Sequence, residues 1–299
     1  MARNKQVNNK IHIGNRFVDI MLVVFFVIMS IIFIYPFLNV VAISFSSNRQ
    51  ITTGAVTWFP KEFSTLGYEI LFQEAGIWRA YLNSVIICLG FMICNLTLTS
   101  LMAYVMMVRD FVFRKFFSIM LLITMFFSGG IIPSYLLIDN LGLMDSWWAL
   151  ILPGSLSAYN VFVYRAFYNG ISYELREAAK IDGAGEFQIF TRIYIPLSKA
   201  LYASFGLFAI VGQWNSYYSA LLYIDDQSKQ PIQMILRKII FTAGTSDMVT
   251  ATEMLSNGEL NPLNVQYACV VATVLPVMVI YPFLQKYFAQ GVQVGAVKG

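Results

Sequence analysis

AYLNSVIICLGFMICNLTLTSLMAYVMMV, residues Ala80–Val108, contains no Asp, Glu, Lys or Arg. A helix that crosses the hydrocarbon core of a bilayer needs about 20 mostly apolar residues. In lipid every backbone N–H and C=O must find its partner inside the segment, so a run of this length reads as one spanning α-helix. A spanning β-strand would be about half as long and would alternate in polarity. Five further charge-free runs flank it: Ile20–Asn48, Phe116–Ile138, Ser146–Tyr164, Ala200–Ile224 and Leu260–Gln285. The expected fold is an all-α polytopic membrane protein with six transmembrane helices, one domain over residues 1–299.

Composition points the same way. The chain is 58% hydrophobic and 12% charged, whereas a soluble domain carries about 25% charged residues. A soluble fold of this size has too little interior to hide so much apolar surface. An ordinary cytosolic enzyme, a disordered chain and a nucleic-acid binder are excluded on that ground. The three cysteines, Cys88, Cys94 and Cys269, lie inside apolar runs with no C-x-x-C spacing, and read as small buried hydrophobes. His12 is the one histidine, so no metal site and no imidazole-based catalysis is expected.

The first run follows Arg3, Lys5, Lys10 and Arg16. Its apolar core is longer than the 7–15 residues typical of a signal peptide, so it is expected to be a retained anchor. With the N-terminus placed inside, the segments 1–19, 109–115, 165–199 and 286–299 hold fourteen of the twenty Lys and Arg residues. The positive-inside rule then puts both termini in the cytoplasm. The outer segments 49–79 and 225–259 are substantial, and Ile232–Phe241 within the second is amphipathic.

The inner segment 165–199 is the part of the cytoplasmic face best suited to bind something. Ser172 is a candidate N-cap, with Glu174 in the first turn, where the helix dipole favours an acid. Leu175, Ala178, Ala179 and Asp182 follow at helical spacing, and Gly183 reads as a left-handed stop. A second short helix is expected to carry Phe187, Phe190 and Ile193 on one face, with Pro196 closing the unit. Glu177, Asp182 and Arg192 are candidates to pair at the rim. Two readings stay open on these grounds: a docking surface for another protein, or an amphipathic helix lying on the bundle.

The string Glu177-Ala178-Ala179, three residues, Gly183, nine residues, Ile193, one residue, Ile195-Pro196 resembles the EAA loop of ATP-binding cassette (ABC) importer permeases. The family pattern has Leu where this chain has Ile195. Gly295–Gly299 is similar to the tail of the maltose-type second permease. Phe127–Tyr135 and Leu141–Trp148 are similar to the subgroup associated with complex oligosaccharides. The resemblance implies a cytoplasmic coupling loop, residues 169–197 between the fourth and fifth spans, that docks in a groove of a separate ATPase subunit. Glu177, Ala178, Ala179, Asp182, Gly183, Ile193 and Pro196 would be its working residues. It also implies a pore made with a second permease subunit, often a different chain, two ATPase subunits that hold ATP and Mg, an extracellular solute-binding protein and a location in the bacterial cytoplasmic membrane. The segment 225–261 would reach toward the binding protein.

A sugar path needs hydrogen-bonding side chains and flat aromatic faces. Gln213, Trp214, Asn215, Tyr217 and Tyr218 form the densest such cluster, and Asn160 lies with Ser155, Ser157 and Tyr159 in the fourth run. Asn95, Thr97, Thr99 and Ser100 form a third group. Each group reads either as part of a path or as hydrogen-bonding glue between helices. Trp214 and Tyr217 also suit an interfacial belt. Gly129, Gly130 and Pro133 mark either a hinge or a local helix irregularity. The chain has no G-x-x-x-x-G-K-S/T phosphate loop and no catalytic motif. It is expected to be a conduit, no enzyme and without a cofactor of its own, driven by ATP hydrolysed in a partner. The substrate is expected to be a sugar, and an oligosaccharide in particular, with a permease for a non-sugar solute of the same superfamily as the alternative reading.

Overall fold

A computed structural model describes residues 16–74, 76–242 and 261–296. The basic residues ahead of Arg16, the polar stretch 243–260 and the last three residues lie outside the described residues. The described residues are helical, with an isolated antiparallel bridge between Ser46 and Phe63. The helices are α1 (Arg16–Ser44), α2 (Asn48–Thr52), α3 (Leu66–Gln73), α4 (Ile77–Met107), α5 (Arg114–Phe126), α6 (Ile131–Asn140) and α7 (Trp148–Ile151). Then come α8 (Ala158–Asn169), α9 (Tyr173–Ile181), a composite α10 (Glu186–Leu197), α11 (Lys199–Trp214), α12 (Tyr218–Tyr223), α13 (Ile232–Thr242) and α14 (Pro262–Ala296).

Three helices are long and apolar enough to cross a bilayer unbroken: Val18–Ser44 of α1, all of α4, and Pro262–Ile280 of α14. The amphipathic α13 forms as expected, with Ile232 and Ile239 buried and Lys238 exposed. The other three apolar runs are not continuous helices. The third breaks between α5 and α6, where Gly130 takes φ +85 and its N–H is accepted by the Ser128 hydroxyl. Only glycine adopts that backbone without a steric cost. Pro133 falls in the first turn of α6, where a missing N–H is tolerated. The fourth breaks after α7 at Pro153-Gly154, with Gly154 at φ +78, and restarts where Ser157 caps α8. The fifth ends at Trp214 and resumes as α12. At its start, α10 and α11 meet at Ser198 with a bend of 81°. Pro196 therefore lies inside α10, two residues ahead of the break, and does not itself close the unit.

The central helix is α4, which packs against α11 and α8. Toward its C-terminal end a core of Tyr104, Met107, Val161, Tyr164, Tyr168 and Tyr194 is fully or almost fully buried. Toward its N-terminal end Ile77, Ala80 and Cys88 pack with Trp214, Ile232 and Cys269. The outward side of α1 is exposed along its length, as expected of a helix meeting lipid or another membrane chain.

The end of α1 is tied to the start of α14 by Asn264. Its amide nitrogen donates to the carbonyls of Ile43, Ser44 and Ser46 at 3.2, 3.4 and 3.1 Å. These include carbonyls that the end of a helix leaves without an intrahelical partner. Gly67 of α3 packs so closely on this residue that a Cβ there would stand 1.8 Å from Asn264 Oδ1. Gly67→Ala is therefore expected to cost about 1–3 kcal/mol through overpacking. Thermal unfolding of the purified protein checks this; an unchanged midpoint would show that α3 and α14 move apart freely.

Candidate functional site

The segment between α8 and α11 builds a two-helix elbow on the C-terminal end of α4. Ser172 caps α9, its hydroxyl accepting the Glu174 N–H at 3.3 Å. Gly183 takes φ +80 and turns the chain. The Ala184 N–H reaches back to the Ala179 carbonyl at 2.9 Å. Local chemistry thus folds the first half of the segment as its sequence dictates: a hydroxyl cap, a helical stretch, and a glycine that accepts the left-handed turn.

The second half differs from expectation. Phe187, Phe190 and Ile193 are not buried alike, and α10 passes from an α-helical turn at Glu186–Ile189 into a π-helical turn at Phe190–Tyr194. Phe190 is buried in the core around Tyr104, Ile193 is partly buried, and Phe187 is 72% exposed. Ile181 is 87% exposed at the end of α9. Glu177, Ala178, Asp182 and Gly183 are exposed beside it, whereas Ala179 and Ile193 pack inward and Pro196 is exposed on α10. The elbow therefore presents a small knob, two large apolar side chains with a carboxylate on either side of the alanine step. The rim pairing expected of Glu177, Asp182 and Arg192 does not form; none of the three is in an ion pair among the described residues.

Two ion pairs, both to Glu186, lie beneath the knob instead, and sequence reading missed them. Arg176 is 2% exposed. Its guanidinium donates to Glu186 Oε1 at 2.5 Å and to the Tyr173 hydroxyl at 2.7 Å. Lys180 reaches the same Glu186 oxygen at 2.9 Å. The Tyr104 hydroxyl of α4 donates to Glu186 Oε2 at 2.7 Å. The Arg109 guanidinium, just past α4, stands 4.4 Å above the Tyr173 ring, a cation–π distance. The available signal was the spacing: Tyr173 and Arg176 fall three apart on one face of α9.

The candidate path residues are distributed differently. Trp214 is buried, and its indole N–H donates to the Thr273 carbonyl at 3.0 Å. Gln213 donates to the Leu150 carbonyl at 3.3 Å, at the broken end of α7. It also borders a cavity of about 10 Å³ with Ser84, Leu150 and Ser216, room for about one water. Asn215, Tyr217 and Tyr218 are exposed around the break between α11 and α12. Asn215 folds back onto the Val211 carbonyl at 2.8 Å, and Arg237 of α13 stands 5.9 Å over the Tyr217 ring. Asn160 is half-buried in the first turn of α8, apart from this group in the chain. Asn95 donates to the Ser155 carbonyl at 3.0 Å, which makes it glue at the fourth-run break.

The elbow is an exposed apolar knob on a bundle of long and broken apolar helices. Residues 96–294 match the family described as "Binding-protein-dependent transport system inner membrane component". The chain belongs to that family. A polygalacturonan/rhamnogalacturonan transport system permease, YtcP of Bacillus subtilis, is 37% identical over 95% of this chain and 99% of its own. An arabinooligosaccharides transport system permease, AraQ of Halalkalibacterium halodurans, is 27% identical over 93% and 96%. Among solved structures, a chain of a bacterial ABC transporter involved in the import of the acidic polysaccharide alginate superposes with a TM-score of 0.86. Its sequence identity is 28%, over 91% of this chain and 97% of that one. This protein is accordingly a membrane-embedded permease of the ABC-importer type, and the family is one of transport rather than catalysis.

Burial pushes the Glu186 carboxyl up, but the Tyr104 and Lys180 hydrogen bonds and the Arg176 charge outweigh it and hold the group below the ordinary glutamate value of 4.5. A carboxyl lowered in the folded state stabilises fully above its ordinary pKa and loses that contribution as pH falls through the folded value. Glu186→Gln should therefore lower the melting temperature most near neutral pH. The gap to wild type should narrow as the pH falls below the ordinary glutamate value and through the lowered one. A gap that stays constant into acid would mean the carboxylate charge is not what holds α9 to α10.

Proposed function

We propose that this chain is the transmembrane subunit of an ATP-driven importer that carries an oligosaccharide into the cytoplasm. The observation that supports the substrate class is end-to-end similarity to permeases named for polygalacturonan/rhamnogalacturonan and for arabinooligosaccharides. In this reading the six apolar runs are six passes, three of them broken, with both termini and the α9–α10 elbow on the cytoplasmic side. The knob of Ala178, Ile181, Asp182, Gly183 and Phe187 seats in a separate ATPase subunit, with Glu177 at its edge. ATP and Mg belong to that subunit, and this chain binds no cofactor. A second permease completes the pore, and a solute-binding protein delivers the sugar from outside onto the segment 225–261.

Alternating access then needs only differential affinity. ATP closure and the loaded binding protein favour different states of the bundle, and each shifts the population by what it gains there. In this reading the exposed Asn215, Tyr217 and Tyr218 are the path residues of this cluster, while Gln213 and Trp214 bond carbonyls of other helices. Asn160, half-buried on α8, is proposed as a further path residue.

The test uses the complete transporter in proteoliposomes. Glu177→Lys and Gly183→Pro should leave ATP hydrolysis running while sugar uptake falls by about tenfold or more, a coupling loss of the usual allosteric size. Wild-type uptake in both variants would discredit the docking role.

A further inference from the structure

Resting on the docking reading above, we propose that Arg176, Glu186 and Tyr104 form a clasp that carries movement of the docked elbow into the central helix α4. Glu186 is its hinge point. One carboxylate oxygen takes Arg176 and Lys180 of α9, at 2.5 and 2.9 Å, and the other takes the Tyr104 hydroxyl of α4 at 2.7 Å. The carboxylate thus joins three helices: its own α10, the knob helix α9 and the spanning helix α4. Arg109 over the Tyr173 ring ties α9 to the end of α4 a second time, 4.4 Å apart. Because α4 is the helix against which both α8 and α11 pack, a pull at Tyr104 reaches the centre of the bundle.

Stability alone is a poor reason for this arrangement. Removing a guanidinium from water is expensive, and apolar side chains of similar volume often replace a buried ion pair without loss. The same interface already has apolar anchors in Ile189, Phe190 and Tyr194, all buried. Arg176 Nε, moreover, finds no acceptor among the described residues, leaving the clasp one hydrogen bond short in this state. What charged, directional bonds add over apolar packing is a fixed geometry between the parts they join. Arg176 and Glu186 are positioning residues in this account; they touch neither sugar nor nucleotide.

The readout is sugar imported per ATP hydrolysed by the complete reconstituted transporter. Tyr104→Phe keeps the ring in the core and deletes only the bond to Glu186. Glu186→Gln keeps the shape and deletes the charge. Both should lower the ratio by about fivefold or more while ATP hydrolysis persists. An Arg176→Ala, Glu186→Ala double variant should do no worse than the poorer single, as expected of two groups acting as one unit. A ratio equal to wild type in Tyr104→Phe and Glu186→Gln overturns the clasp. So does a parallel fall of uptake and hydrolysis at constant ratio, which marks a purely structural role. Glu177→Lys measured alongside separates the two claims. If it uncouples and the clasp variants do not, the clasp alone fails; if it too leaves the ratio intact, the docking reading fails and the clasp falls with it.

Discussion

The structure depends on one constraint: in an apolar environment, a backbone carbonyl freed by a broken helix must be given a donor. The amides inside this chain's apolar runs are placed accordingly. Asn95 serves Ser155 and Gln213 serves Leu150, both in the interrupted fourth run. Asn264 serves the end of α1, and Asn83 serves the carbonyls of Ser228 and Gln230 ahead of α13. The Trp214 indole differs in meeting a carbonyl inside the unbroken α14, that of Thr273. Each bond also joins segments distant in sequence, so the groups that make broken helices tolerable are the ones that assemble the bundle.

That constraint explains why half of the apolar runs can be interrupted without collapse. It also suits the work of a permease, which has to move. A bundle of unbroken rods pivots only at its ends, whereas short helices meeting at Gly130, Gly154 and Ser198 offer joints within the fold. The elbow on α4 follows a different rule. It exposes the large apolar side chains Ile181 and Phe187 and buries the one guanidinium of Arg176, which is the surface that the proposed docking would cover.

Much of this was legible in the sequence. The runs that became α1, α4 and α14 are long, charge-free and without closely spaced glycine and proline, so length alone settled them. Ser172 and Gly183 were legible because caps and left-handed turns are local events. The breaks were harder. Pro153-Gly154 sits inside a charge-free run, and apolarity does not report continuity. Reading Gln213 and Trp214 as path residues rested on composition, and which carbonyl each would meet depended on tertiary neighbours. Of the Arg176 cluster only Tyr173, three positions away on the same helix, was within reach of periodicity; Glu186, and the Tyr104 that shares its carboxylate, lie 10 and 72 positions from Arg176. The π-helical turn that begins at Phe190 likewise changes the register between Phe190 and Ile193, which an ideal helical repeat does not anticipate.

The central claim is that the knob on α9 and α10 meets an ATPase subunit from the cytoplasmic side. Cysteines placed singly at Ile181 and Phe187 of the complete transporter test it most directly, using a short bifunctional crosslinker and a membrane-impermeant thiol reagent on sealed cells. The account predicts a crosslink to the ATPase subunit and no labelling from outside. Labelling from outside, or crosslinks to lipid alone, would contradict it.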